Sequence, residues 1–200
     1  MVPRTQGKQM IRVLETERLW LRPLELADAE QVQPLFARWE VVRFLNDKVP
    51  WPFPEDGVRT YYSEVALPAM ERGEEWHWTL RLKTEPERVI GSIGLMRDKT
   101  LCGEDVGPLN RGFWLAPECE GQGLMTEAVI AANDFWFDEL GFAVLRTAKA
   151  VENAGSRRIS EKMAMRVVGT GVSGYVSGRF PSETWEITAE EWKAWRTRSR

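Results

Sequence analysis

Two glycines, Gly121 and Gly123, separate an aromatic-apolar run from the longest apolar-periodic segment of the chain, in PECEGQGLMTEA (117–128). Glycines before a helix let a ligand approach the backbone, and the helix start offers unbonded N–H groups with a partial positive charge. Such a place binds anions, phosphate above all. A tight strand-to-helix turn needs the same spacing, so the motif alone leaves both interpretations open. It is neither a P-loop, since no GKS or GKT follows, nor a full dinucleotide fingerprint, since Thr126 replaces its last glycine.

A second polar group follows the next strand-like segment, in VENAGSRRISEKM (151–163). Asn153, Ser156 and Ser160 lie at i, i+3 and i+7, so they share one face near the start of a predicted helix. Arg157 and Arg158 flank that face. The stripe suits the amides and terminal phosphate of a cofactor, and it equally suits a solvated helix face.

Few other side chains are suited to catalysis. His77, the only histidine, lies in the strand-like EWHWTLRL, where a lone histidine is usually structural. Cys119 lies beside the glycines without an evident base partner, which indicates a small apolar filler rather than a nucleophile. Cys102 and Cys119 match no disulfide or metal spacing, and two thiols fit a reducing cytosol.

Strands and helices alternate around these residues, and NDKVPWPFPED (46–56), with three prolines, predicts a loop. The order favours an α/β or α+β fold with helices on the faces of a sheet. The predicted strands are 18–24, 75–82, 88–95, 111–117 and 141–151, with one or two glycine-broken strands in 166–188. The predicted helices are 25–39, 40–45, 55–67 with a bend at Pro68, 122–140, 152–165 capped by Asn153, and a tail from 189.

Composition narrows the function classes. A chain of 200 residues predicts one domain, spanning 1–200, with a real core. A net charge of −3 gives no broad basic footprint, so no nucleic-acid partner is expected for the protein by itself. Apolar runs are too short for a membrane span and the N-terminus lacks an apolar signal region, which together predict a cytoplasmic protein.

Five segments in order resemble the GNAT superfamily of acyl-CoA-dependent N-acetyltransferases, most of all the branch of ribosomal-protein N-terminal acetyltransferases (RimJ/RimL-like). They cover about 12–192: LETERLWLRPLELADAE, VIGSIGL, GFWLAPECEGQGLMTEAV, VENAGSRRISEKMAM and TWEITAEEWKAW. The resemblance implies a GNAT fold, a mostly antiparallel mixed sheet with helices on both faces. It also implies a splayed pair of parallel strands, 111–117 and 143–151, with acetyl-CoA as cosubstrate and no metal.

The resemblance assigns cofactor roles residue by residue. The pantetheine arm would bind backbone near Trp114 and Leu115, while Asn153 and Ser156 would contact the pantetheine or the adenine end. Glu120 and Met125 depart from the family's loop pattern, and Ala164 stands where the family usually has glycine. The pyrophosphate would lie on Glu120, Gly121, Gln122, Gly123, Leu124, Met125 and Thr126.

The family commonly uses direct attack by the amine, with the thioester carbonyl polarised by a backbone N–H of strand 111–117. Ser160 stands where many members have a tyrosine that protonates the leaving thiolate, and its hydroxyl could stabilise that thiolate by donating a hydrogen bond, directly or through water. The position of the usual base holds Asn110, which cannot take a proton, so Glu104 and Asp105 are the candidate bases, against a plain role as solvated loop acids.

On the acceptor side the resemblance indicates Trp51 and Phe53 of loop 46–56, and His77. The two loop aromatics equally fit anchors of a proline-rich loop. The expected acceptor is a primary amine, either a protein N-terminus or a small molecule, bound by a monomer or homodimer. Two alternatives stay open: a non-catalytic acyl-CoA-binding module, and an unrelated nucleotide-binding α/β protein.

Overall fold

The computed structural model describes residues 11–99 and 109–199, whose strands form two antiparallel sheets. The first sheet has the order β1-β2-β3-β4-β5 and the second the order β6-β8-β7. The strands are β1 Leu14–Glu15, β2 Leu19–Pro23, β3 Glu75–Leu82, β4 Val89–Lys99, β5 Leu109–Leu115, β6 Val144–Ala150, β7 Arg166–Tyr175 and β8 Gly178–Thr188. The glycine-broken segment thus forms the two-stranded hairpin β7–β8.

The helices follow the predicted order. They are α1 Ala29–Phe36, α2 Trp39–Val42, α3 Gly57–Tyr61, α4 Leu67–Arg72, α5 Leu124–Asp134, α6 Ala154–Lys162 and α7 Ala189–Arg198. A π-helical turn, Tyr62–Ala66, joins α3 to α4, so the helix continues through Pro68 rather than ending near it. The N–H of Leu67 bonds to the carbonyl of Tyr62, five residues earlier, and Pro68, which has no N–H, directly follows this wider turn. No helix in the described ranges is both long and apolar enough to cross a membrane.

The side chains of β3 point alternately to the two faces of the first sheet. Trp76, Trp78 and Leu80 enter the main core, which includes the inner face of α5. The residues between them therefore face the opposite side, where His77 and Arg81 lie toward a smaller core under α1 and α3. Helices thus cover both faces and the α+β prediction is confirmed, with the sheet divided in two.

The end of α6 explains the departure at Ala164. The N–H of Met165 bonds to the carbonyl of Ser160 (3.1 Å) and the N–H of Ala164 to that of Glu161 (3.0 Å), which is a Schellman motif. The motif needs a left-handed residue after the helix, and Ala164 has φ 55°. Alanine in this region is strained by its Cβ, whereas glycine is not.

Replacing Ala164 by glycine is therefore expected to raise the free energy of unfolding by about 1 kcal/mol, because the strain is larger than the entropy that glycine adds to the unfolded chain. Urea denaturation measures the change. Ala194→Gly, in the exposed middle of α7, is the matched control and is expected to lower stability by about 1 kcal/mol. A less stable Ala164→Gly variant would contradict the strain.

Candidate active site

The loop before α5 needs glycine at two positions. Gly121 (φ 74°) and Gly123 (φ 79°) both adopt the left-handed conformation, and Gly123 caps the helix. Leu124 and Met125 turn their side chains into the core, so only their backbone faces the loop. In the described part of the chain, no protein acceptor takes the N–H groups of residues 122–126.

This arrangement fits the pyrophosphate of a coenzyme A. A row of free N–H groups at the start of an 11-residue helix favours a bound anion. Glu120, the acidic departure from the family pattern, is exposed, so water and salt screen its charge. Backbone groups would therefore carry such an interaction, since Glu120 is exposed and the side chain of Met125 lies in the core.

Arg18, just before β2, holds this loop and was not predicted from the sequence. Its guanidinium donates to the carbonyl of Gln122 (3.0 Å) and to the carboxylate of Glu127 (2.8 Å) in the first turn of α5. Burial alone would raise the pKa of Glu127, but bonds from Thr16 and Arg18 outweigh it and lower that pKa. The carboxylate therefore stays ionised and keeps Arg18 across the loop at neutral pH.

Arg18→Met is expected to raise the dissociation constant of acetyl-CoA about 10-fold, since it removes a charge-assisted bond of about 1.5 kcal/mol that orders the loop. Isothermal titration calorimetry measures the constant. Arg22→Met, also near the start of the chain but in β2, loses only an exposed pair with Glu87 (3.5 Å); it is the control and is expected to leave binding unchanged. Equal binding by both variants would remove Arg18 from the site.

The strands β5 and β6 lie side by side but no ladder joins them in the described residues. Asn110 connects their first halves: its Oδ1 accepts from the N–H of Arg146 (2.9 Å) and its Nδ2 donates to the carbonyls of Met96 (3.1 Å) and Arg97 (3.3 Å). The side chain that replaces the usual base thus has a structural role. In the second half of β5, the N–H and C=O groups of every second residue point away from β4 and toward β6.

Trp114 and Leu115, predicted to bind pantetheine through backbone, lie in this second half of β5. The Trp114 ring packs edge-on against Phe36 at 5.6 Å, and Leu115 is buried in the main core. Because both side chains pack against other residues, only the backbone N–H and C=O groups of these two residues are available to a ligand.

The start of α6 has the predicted cap. Asn153 Oδ1 accepts from the N–H of Ser156 (3.1 Å), and Arg157 pairs with Glu183 of β8 (2.9 Å). Asn153 and Ser156 are partly exposed, so both are accessible to a cofactor.

Ser160 is fully buried and accepts a hydrogen bond from Lys149 Nζ at 2.5 Å. Lys149 was not predicted as a site residue, although its strand gave a signal. In GFAVLRTAKAV the positions 145, 147 and 149 alternate inward, and lysine is the unexpected type at an inward position.

His77 lies on the other side of the sheet, where its Nε2 is 2.6 Å from Glu75 Oε2. The Nδ1–Cε1 edge of the ring lies against Gly94 of β4, whose Cβ, if present, would come within 2.6 Å of Cε1. Gly94 pairs with Gly112 of β5, which is exposed. Because neither glycine has a side chain, the sheet surface between the imidazole and the unpaired edge of β5 is left uncovered.

The two aromatic residues of loop 46–56, Trp51 and Phe53, have different surroundings. Trp51 is 44% exposed and lies against Trp39, 41% exposed, with ring centroids 5.2 Å apart. Phe53 instead packs against Phe36 at 5.0 Å, within the smaller core, where it anchors the loop. Trp39 was missed because helical spacing assigned it to a packed helix face.

Glu104 and Asp105, the candidate bases, lie outside the described residues. Cys119 is buried, and burial, with the charge of Glu118, raises the pKa of its thiol, which fits the predicted apolar filler.

Comparison with known proteins identifies the family. Residues 18–166 match the model of the acetyltransferase (GNAT) domain, which is most of the chain. The chain belongs to the GNAT acetyltransferase family. The "Probable N-acetyltransferase YjcK" of Bacillus subtilis (strain 168) is 27% identical over 157 residues, 75% of this chain and 81% of that protein.

Solved structures share the fold. Ribosomal-protein-S5-alanine acetyltransferase from Vibrio fischeri has a TM-score of 0.73 at 15% identity, over 90% of this chain and 98% of that one. Mycobacterium smegmatis RimJ in complex with CoA-disulfide has a TM-score of 0.72 at 17% identity, over 90% and 88%. The family match confirms the prediction of an acyltransferase enzyme.

Proposed function

We propose that this GNAT acetyltransferase moves the acetyl group of acetyl-CoA to a primary amine by direct attack of the amine on the thioester. The observation that carries the proposal is the row of unpartnered N–H groups over residues 122–126, beside the open edge of β5. Acetyl-CoA supplies the activated acetyl group when bound. Residues 120–126 hold its pyrophosphate, backbone at Trp114 and Leu115 holds its pantetheine, and Asn153 and Ser156 contact its pantetheine or adenine end.

For the acceptor we favour a peptide N-terminus. Neighbours of the same fold include a ribosomal-protein-S5-alanine acetyltransferase and an L7/L12 alpha-N-protein acetyltransferase, RimL, in complex with coenzyme A. The exposed Trp39–Trp51 pair offers an amphipathic surface where residues following the amine can stack. Small amines such as a polyamine, an antibiotic or an aminoacyl nucleotide are the alternative.

His77 is suited to take the amine proton. With Nε2–H donating to Glu75, Nδ1 is left as an acceptor on the ring edge nearest Gly94. The amine would lie over the exposed Gly112 of β5, beside the ring edge of His77, where a backbone N–H of β5 polarises the thioester carbonyl. Glu75 acts as a positioning residue. Glu104 and Asp105 stay predictions for the same role.

The experiment is an acceptor screen in which the release of coenzyme A from acetyl-CoA is followed with N-terminal peptides and small amines. Saturable release with a peptide is expected. Tight binding of acetyl-CoA without turnover on any acceptor would support the non-catalytic binding module instead. Thermal stabilisation by ATP or NAD and none by coenzyme A would support an unrelated nucleotide-binding protein.

A further inference from the structure

Lys149 is a buried ammonium held only by hydroxyl groups and an aromatic ring in the described part of the chain. It is 4% exposed, and its Nζ donates to Thr147 Oγ1 (2.9 Å) and to Ser160 Oγ (2.5 Å). Nζ also lies 5.3 Å from the centroid of the Trp185 ring. Burying an unpaired charge is costly, so a lysine here calls for a reason other than packing.

The facing strand carries a second buried cation. Arg111 of β5 is 5% exposed; it donates to Asn133 Oδ1 (2.6 Å), while its Nε has no partner among the described residues. Glu183 is the acidic group with the largest effect on the pKa of Lys149, and it already forms an ion pair with Arg157 at 2.9 Å. The charge of Arg111 on β5 acts on Lys149 on β6, so the region between these two cations favours an anion, either bound or formed during reaction.

The direction of the hydrogen bonds matters for the chemistry. Because an ammonium is donor only, Ser160 must accept from Lys149, and its own hydroxyl proton remains free to be donated. No acceptor for that proton lies within hydrogen-bond distance in the described ranges. Ser160 alone would be a poor acid, but a serine that can be reprotonated by an adjacent ammonium can pass a proton on.

Resting on the proposed function, we propose that Lys149 and Ser160 form a proton relay to the leaving thiolate of coenzyme A. The amine nitrogen bonds to the thioester carbon and the carbon–sulfur bond breaks, its electron pair leaving on sulfur. The sulfur takes the Ser160 hydroxyl proton as Ser160 takes one from Lys149. The proton lost by the amine goes to its base and then to water, which reprotonates Lys149, so protons balance.

The charges around Lys149 support this role. Burial first, and then the charges of Arg111 and Arg157, lower the pKa of Lys149 well below its usual range, while Glu183 and Glu161 act in the opposite direction. An acid whose pKa lies closer to the working pH gives up its proton more readily. Burial also lowers the pKa of Arg111 to about 9, which leaves it charged at neutral pH as the fixed cation of the pair.

The test compares Lys149→Met, Ser160→Ala and the double variant in steady-state kinetics with a productive amine. Each is expected to lower kcat roughly 100-fold, the usual contribution of a proton donor. The dissociation constant of acetyl-CoA is expected to change less than about threefold, and the double variant to be no slower than either single one, because relay members act as a unit. Lys193→Met on exposed α7 is the matched control and keeps full activity.

Lys149→Arg separates proton transfer from charge, because a guanidinium keeps its proton. It is expected to be as slow as Lys149→Met. The wild-type kcat is expected to fall as pH rises through the lowered pKa of Lys149, and Lys149→Met to lack that fall. Full kcat in Lys149→Met or Ser160→Ala, rescue by arginine, or multiplicative losses would overturn the relay. Absence of turnover by the wild-type protein would reject the proposed function, and the relay with it.

Discussion

Replacing Gly123 by aspartate is expected to raise the dissociation constant of acetyl-CoA about 1000-fold. The residue has φ 79° and caps α5, so a side chain there strains the loop and covers the free N–H groups. The carboxylate also repels the pyrophosphate. Loss of about two charge-assisted hydrogen bonds, each of about 2 kcal/mol, corresponds to roughly this factor. Isothermal titration calorimetry measures it.

The matched control is Gly73→Asp. Gly73 ends α4 with φ 70° and nothing near its missing Cβ, so the substitution adds the same backbone strain and charge away from the loop. It is expected to lose stability to a similar extent and to bind acetyl-CoA as the wild type does. Unchanged binding in Gly123→Asp would remove the loop from the cofactor site.

His77→Gln is expected to lower kcat about 1000-fold with a productive amine, since general bases contribute roughly 100- to 10 000-fold. Glutamine is polar and of similar reach, but it cannot take a proton at neutral pH. KM for acetyl-CoA is expected to stay within about threefold, because the cofactor loop lies on another element. Initial rates at saturating acetyl-CoA, with CoA release as the signal, measure the change.

Two further variants test whether the effect is chemical. Glu75→Gln keeps an oxygen near Nε2 but removes the charge, so a smaller loss of about 10-fold is expected. Gly94→Ala displaces the His77 ring without touching its chemistry, and is expected to lower kcat while acetyl-CoA binding holds. Full activity in His77→Gln, with a thermal midpoint like the wild type's, would exclude His77 as the base and return attention to Glu104 and Asp105.

Much of the architecture could be predicted from periodicity and capping chemistry. EWHWTLRL alternates, and it forms β3 with its tryptophans inward. Asn153 at the start of a polar-faced segment caps α6. Gly121 and Gly123 form the strand-to-helix turn that their spacing indicated, and both take the left-handed backbone. These are local rules, in which the residue type itself determines the conformation.

Contacts between distant segments could not be predicted in this way. Arg18 reaches Gln122, 104 residues away, and no spacing relates the two positions. The division into two sheets depends on which strands pair, and the hydrogen bond from the N–H of Arg146 to Asn110 that joins β6 to β5 spans 36 residues. Lys149 was visible as a lysine at an inward strand position, but its partner Ser160 became evident only when α6 packed on β6.

The proposed function depends above all on binding of acetyl-CoA by the backbone N–H groups of the glycine loop. The most direct test is a titration of the ¹⁵N-labelled protein with acetyl-CoA, followed by amide NMR. The amides of Gly121, Gly123 and Leu124 are predicted to shift together and saturate, while that of Gly73 stays in place. Saturable binding of acetyl-CoA with no change at the loop amides would contradict the account.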